Sequence, residues 1–230
     1  MSLLLNIDTA TEHASVCISR GTDIIEWVES AEQKNHAAFI QPAIQKLLIK
    51  SGLALKQFDA ISCTKGPGSY TGLRVGMASA KGICYALDKP LILVNTLEVM
   101  AESVLFFHET TNQPIHSSAL ICPMIDARRM EVFTALYTPL LLEIEPPHAL
   151  ILTENAFDDL LVKHPILFTG TGTSKLAEIL THSNAIFTKI QYTAIHLARR
   201  ALIAYESNSF ADLAYSEPLY VKEFFNPKNA

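Results

Sequence analysis

The apolar run Leu3 to Ile7, followed by alternation of apolar and polar positions through Ala14 to Ser19 and Ile24 to Val28, predicts three strands joined by turns, with Gly21 in the second turn. Such a meander opens a mixed sheet. Residues 36 to 51 switch to a helical period (Ile40, Ala43, Ile44, Leu47, Leu48) that stops at Gly52, and Pro42 suits a first turn or a kink. Next come a short strand over Asp59 to Thr64, a helix over 71 to 87, a buried strand over Leu91 to Val94 and a helix over Thr96 to Phe107. From about residue 23 on, strand and helix alternate, which predicts parallel pairing and an α/β layer structure.

The polar, proline-bearing segment 108 to 117 is the best boundary between lobes, placing a first lobe at 1–110 and a second at 111–230. The second lobe begins as the first does. "LLLNIDTATEHASVCIS" and "LICPMIDARRMEVFTALY" share one plan, a buried apolar strand ending in Ile-Asp, a short polar turn and an alternating strand. Beyond the second copy the pattern predicts a helix near 154 to 163, a strand at Ile166 to Thr169, the turn "GTGTS", and helices at about 174 to 181 and 193 to 206. Two lobes that each open with a strand ending in aspartate suggest the actin-like ATPase architecture. There Asp8 and Asp126 would sit at the mouth of an interlobe cleft and could hold a metal-bound nucleotide. The plain alternative is that both aspartates cap strand ends by accepting from nearby backbone N–H groups.

Charge narrows the partners. With 18 Lys and Arg against 23 Asp and Glu, the formal charge over 230 residues is -5, and no basic face is readable of the kind a lone nucleic-acid binder carries. Cys17, Cys63, Cys84 and Cys122 are dispersed without a C-x-x-C pair, so they read as buried thiols of a reducing cytosol. The opening MSLLLNIDTA lacks a positive n-region and no run approaches membrane-spanning length, which predicts a soluble, cytoplasmic protein.

The stretch "KGPGSYTGLRVGMASAKG" from Lys65 to Gly82 holds five of the nine glycines. Gly66, Pro67 and Gly68 form a turn between a strand and a helix, where N–H groups can face an anion. Yet the turn matches neither G-x-x-x-x-G-K-[ST] nor G-x-G-x-x-G. Within the helix, Leu73, Met77, Cys84 and Leu87 make an apolar stripe, Arg74, Ala78, Lys81 and Tyr85 a solvent stripe, and Gly72, Gly76, Ser79 and Ala80 a smooth face. That face suits close approach by another protein or by a second helix of the same chain.

"NIDTAT" at 6–11, "KGPGSYTGLRVG" at 65–76, "IDARRMEVF" at 125–133, "TGTG" at 169–172 and "EPLYVK" at 217–222 resemble, in order and spacing, the TsaB (YeaZ) family. The resemblance implies a two-lobed actin-like fold and a non-catalytic subunit. That subunit would support a TsaD-type catalytic paralogue, with a TsaE-type ATPase, in threonylcarbamoylation of adenosine in tRNAs that read codons beginning with A. It implies docking through a first-lobe helical face and a homodimer through a similar surface, with tRNA met only through the complex. The docking candidates are Gly68, Ser69, Tyr70, Thr71, Gly72, Arg74, Val75, Gly76, Ser79, Ala80 and His36. The histidine pair of the paralogue's metal site is replaced by Thr96 and Met100, so neither a metal nor an intrinsic cofactor is expected. A G-x-S-x-G elbow is missing around Ser69, which argues against a protease; Ser69 and Thr71 read better as helix caps. The alternative function is a weak nucleotide-binding ATPase using Asp8, Thr9, Gly66, Gly68, Asp126, Gly170 and Gly172, with ATP or ADP at a complex interface.

Overall fold

The structure, a computed structural model, describes residues 1–30 and 35–222. Its first sheet contains β1 (Leu3–Asp8), β2 (Ser15–Arg20), β3 (Asp23–Glu29), β4 (Ala60–Gly66) and β5 (Leu91–Asn95), in the order β3-β2-β1-β4-β5. The second contains β6 (Leu120–Asp126), β7 (Glu131–Tyr137), β8 (Glu143–Ile151), β9 (Ile166–Thr169) and β10 (Ala185–Phe187), in the order β10-β9-β6-β7-β8. In each, the opening strand lies at the centre with an antiparallel meander on one side and two parallel strands on the other. The short Ile-Asp repeat of the sequence is thus matched by a repeat of topology.

β1 is buried on both faces, which is why it reads as an apolar run and not as an alternation. Leu3, Leu5 and Ile7 pack under α1 (His36–Ser51) and α2 (Tyr70–Leu87), against Ile40, Ile44, Leu47, Met77 and Cys84. Leu4 points the other way, into a cluster with Leu197 and Ala201 of α6 (Ala194–Glu206). The C-terminal helix therefore returns to cover the first sheet. Meanwhile α3 (Thr96–Thr110), which precedes the second sheet, packs on it through Leu97, Met100, Ala101 and Val104. The short helices α4 (Asp158–Leu161) and α5 (Thr173–Ile179) cover its other face through Leu161 and Leu176. Each fully buried Leu or Ile contributes roughly 1.5–3 kcal/mol of transfer free energy, so this exchange of helices ties the two sheets together.

Three sequence expectations need correction. β8 carries Pro146 and Pro147 and has no counterpart among the predicted strands; it is an edge strand, where a missing N–H costs no ladder bond. β6, β7 and β8 make an antiparallel meander, so the expected parallel alternation fails at the start of the second sheet. The helix expected near 154–163 shrinks to Asp158–Leu161. Pro42 lies inside α1 with its side chain exposed, and α1 stops at Gly52 in the left-handed conformation (φ 68°).

Candidate functional site

The glycine-rich stretch and the two aspartates meet where the C-terminal ends of β1, β4 and β6 face the cleft between the sheets. The cleft, about 790 Å³, is lined by Ser69, Thr71, Asp126 and Arg128 among others. α2 begins at its rim. The Ser69 hydroxyl caps the helix by accepting from Gly72 N at 3.3 Å, while Thr71 is an exposed first-turn residue and not a cap.

The expected smooth face is not where the sequence put it. Gly72, Gly76 and Ala80 are buried within the chain. A Cβ on Gly72 would collide with the Thr9 carbonyl and approach the His36 ring, and a Cβ on Gly76 would collide with the Thr9 hydroxyl. That hydroxyl donates to Gly72 O at 2.8 Å, so the two glycines let α2 settle onto the turn after β1. His36 is buried at the start of α1 beside them, and burial holds its pKa down. Val75 and Ser79 are half-buried. The free side of α2 is instead made by Ala78, Gly82, Tyr85 and Ala86, with Ser79 at its margin. Here a Cβ on Gly82 would meet nothing within 4 Å. Ala78, Ser79, Gly82 and Ala86 form, with Gln41 of α1, the walls of a shallow groove between the two helices.

The loop offered for phosphate is filled by the chain itself. Ser69 N donates to Ala10 O at 2.7 Å, and a Cβ on Gly68 (φ 159°) would strike that same carbonyl. At Gly66 (φ 115°) the space belongs to the Leu219 carbonyl. Asp8 is buried and accepts from Thr64 Oγ1 at 2.7 Å and from Ala10 N at 3.3 Å, with the Tyr192 hydroxyl beside it. Burial raises its pKa to about 6, against the lowering effect of those donors. Thr9 is likewise buried.

Across the cleft, Asp126 is exposed and closes its own hairpin. Its Oδ1 accepts from Arg128 N and from Lys175 Nζ, both at 2.7 Å, while Asp126 N donates to Thr171 Oγ1. Its modest burial works upward, but these donors outweigh it and lower the pKa. Gly170 and Gly172 pack under Met124, with Met100 over Gly170 and Val132 over Gly172, so this turn too faces its own core. Asp8 and Asp126 thus sit at corresponding strand ends, each held as the plain capping reading described.

Residues 211 to 222 form a strap whose course the sequence did not disclose. Ala211 N donates to Leu91 O at the edge of β5, and Lys81 Nζ donates to the carbonyls of Ala214 and Ser216. Leu219 N donates to Lys65 O at 2.6 Å. Tyr220 then lies over Tyr70 (centroids 5.5 Å apart) and accepts from Arg74 Nε at 2.9 Å, and Lys222 pairs with Glu131 of β7 at 2.9 Å. Tyr70 and Arg74, expected on a docking surface, are therefore engaged by the chain's own strap. The "EPLYVK" block marked this stretch for the family resemblance only and gave no sign of its path.

Among the described residues no group of three or more His, Cys, Asp or Glu is placed to hold a metal ion. Thr96 and Met100, where the resemblance implied a lost histidine pair, are buried in the core. All four cysteines are buried thiols, with burial pushing Cys17 and Cys122 up to about 12. No helix among the described residues is long and apolar enough to cross a membrane.

Comparison with known proteins gives consistent matches. The profile of the TsaD family, tRNA N6-adenosine threonylcarbamoyltransferase, matches residues 28–217. A Bacillus subtilis protein named tRNA threonylcarbamoyladenosine biosynthesis protein TsaB is 33% identical over 174 residues, covering 74% of this chain and 72% of the relative. A Haemophilus influenzae protein of the same name is 37% identical over 131 residues, 56% of this chain and 51% of its own length, so the match spans about half of that relative. The solved structure of YeaZ from Pseudomonas aeruginosa superimposes with a TM-score of 0.78 at 23% identity, covering 96% of this chain and 100% of that one. The fold is α/β and actin-like, with two mixed sheets and helices on their faces.

Proposed function

This chain belongs to the TsaB (YeaZ) family, and on that premise we propose that it acts in the biosynthesis of threonylcarbamoyladenosine in tRNA as a non-catalytic subunit that docks onto a TsaD-type paralogue. The single observation that carries the docking reading is Gly82. A glycine in an exposed helix interior costs up to about 1 kcal/mol relative to alanine, and here no atom of the described residues uses the space it leaves. Beside Ala78, Ser79 and Ala86 it makes a surface on which another helix can lie close. Exposed Tyr85, on the same helix, offers an aromatic anchor of the type enriched at interface centres. The docking surface is thus the outer side of α1 and α2, shifted along α2 from Gly72 and Gly76 toward its C-terminal half.

The absence of chemistry in this subunit is supported by what fills the candidate sites: Ala10, Leu219, Met124 and Met100 stand where a nucleotide's phosphates would need open backbone N–H groups. ATP or ADP at a complex interface would have to use the open cleft near Ser69, Thr71 and Arg128 and not the glycine turns. A homodimer would use the same helical face, so it and the paralogue would compete; a TsaE-type ATPase joins only the assembled pair.

The test is to mix purified chain with the TsaD-type paralogue from the same source and follow association and tRNA modification together. Gly82→Arg should abolish both without destabilising the isolated chain, because arginine is the better helix former and its charge would be trapped unpaired only in the dry interface. Undiminished association of Gly82→Arg removes this face from the reading. Robust ATP turnover by the isolated chain would replace the scaffold role with the ATPase alternative.

A further inference from the structure

Between α3, the start of α6 and the β9–β10 edge of the second sheet lies a second cavity, of about 890 Å³, that shares no lining residue with the interlobe cleft. Its exposed wall is largely apolar, from Phe106 and Phe107 of α3, Ile115, Leu167 of β9, Ile186 of β10 and Ile190, with Gln113, Thr188 and Gln191 among its polar lining. The volume falls within the range of about 300–1,000 Å³ usual for small-molecule sites. Phe107 and Ile186 are 40% and 44% exposed, so the walls stand open to solvent.

One polar group within it is unusual. His196 is 8% exposed, and its Nδ1 accepts from Thr193 N at 2.9 Å. A backbone N–H can only donate, so Nδ1 is unprotonated and Nε2 carries the ring proton. Burial keeps the ring neutral, with a pKa of about 4. The ring stands edge-on to Phe106 at 5.4 Å, and Nε2–H has no partner among the described residues. A fixed, unused donor thus belongs to the wall of an apolar cavity.

The surrounding charge selects the ligand's sign. No Asp or Glu lines the cavity and Lys189 stands exposed at its mouth, whereas the nearby Arg199 is already paired with Glu102 and Glu109. In a chain of formal charge -5, this pocket combines a largely apolar surface with a donor at His196 and, among the described residues, one uncompensated cation, Lys189, at its mouth. We propose that it binds an amphiphilic monocarboxylate of the medium-chain fatty-acid type. The tail packs among Phe106, Phe107, Ile115 and Ile190, and the carboxylate accepts from His196 Nε2–H with Lys189 as counter-charge. The site does not depend on the scaffold reading, since it uses neither the cleft nor the α1–α2 face.

The experiment titrates decanoate into the full chain by calorimetry, with decyltrimethylammonium as the charge-reversed control and ¹⁵N-histidine NMR as the positional readout. Saturable one-to-one binding is expected, with the His196 Nε2 resonance moving and the cationic control at least about tenfold weaker. Exposed Lys189→Glu should lower decanoate affinity about tenfold without affecting folding. Ile115→Trp should block the cavity and abolish binding; should that variant not fold, Lys189→Glu and the control still decide. Equal binding of the two amphiphiles, an unmoved His196 resonance, full affinity of Lys189→Glu or no saturable binding would each overturn the proposal.

Discussion

Gly76 and Gly82 share a helix and an intrinsic propensity, yet the structure gives them opposite work. Gly76→Ala would force a methyl against the Thr9 hydroxyl and its bond to Gly72 O, an overpacking that costs about 1–3 kcal/mol. Gly82→Ala gains up to about 1 kcal/mol because no described residue occupies the space. Urea unfolding of the isolated variants should therefore shift in opposite directions; a shift of the same sign for both would show that propensity alone decides. Asp8 provides a pH test. Its folded pKa, raised from 3.8 to about 6 by burial, means that the folded state binds the proton more tightly than the unfolded chain. Its contribution favours folding at low pH and is lost as pH rises from about 4 through 6. Asp8→Asn removes the titration, so the stability of the variant relative to the parent should rise by about 2 kcal/mol between pH 4.5 and 7. A constant difference across that interval would contradict the buried, proton-avid Asp8.

At the scale of elements, α3 and α6 are bolted by charge as well as by packing. Arg199 donates to Glu102 Oε1 at 2.6 Å and reaches Glu109 at 2.9 Å, while Arg200 pairs with Glu98 at 2.6 Å. Glu102 is only 6% exposed, so losing its main partner leaves a buried carboxylate with only Arg200, 3.8 Å away. Breaking a buried pair costs up to about 3–5 kcal/mol; with Arg200 remaining and Arg199 part-exposed, Arg199→Ala should cost about 2 kcal/mol in denaturant unfolding. The double variant with Glu102→Gln should recover part of that loss, because the uncompensated charge is gone. The strap over α2 is a weaker device. Its Tyr220–Arg74 contact is at the surface, so Tyr220→Ala should speed amide exchange at Leu219 while leaving global stability unchanged. None of these links was visible in the sequence, because partners such as Glu102 and Arg199, 97 residues apart, have no local signature.

For the whole molecule, the formal charge of -5 and the lack of a readable basic stripe in the sequence predict that the isolated chain binds tRNA no better than micromolar at physiological salt. Filter binding in increasing salt tests this, and a submicromolar Kd would assign the chain a direct RNA surface. Local pattern determined much of the architecture. The burial of β1 on both faces made an unbroken apolar run, the periods of α1, α2 and α6 marked helices, and the Ile-Asp repeat marked the shared opening of the two lobes. These are short-range properties, set by which faces of a strand or helix must leave water. Only the tertiary structure decided which neighbour each face would meet. Gly72, Gly76, Ser79 and Ala80 are small residues on neighbouring turns whether they face a partner or Thr9, and Gly66 and Gly68 make a turn whether an anion or a carbonyl fills it. The return of α6 to the first sheet, the strap's path to Lys65 and Glu131, and the space left open at Gly82 depend on contacts between distant segments, which the order of residues encodes only through the fold they reach together.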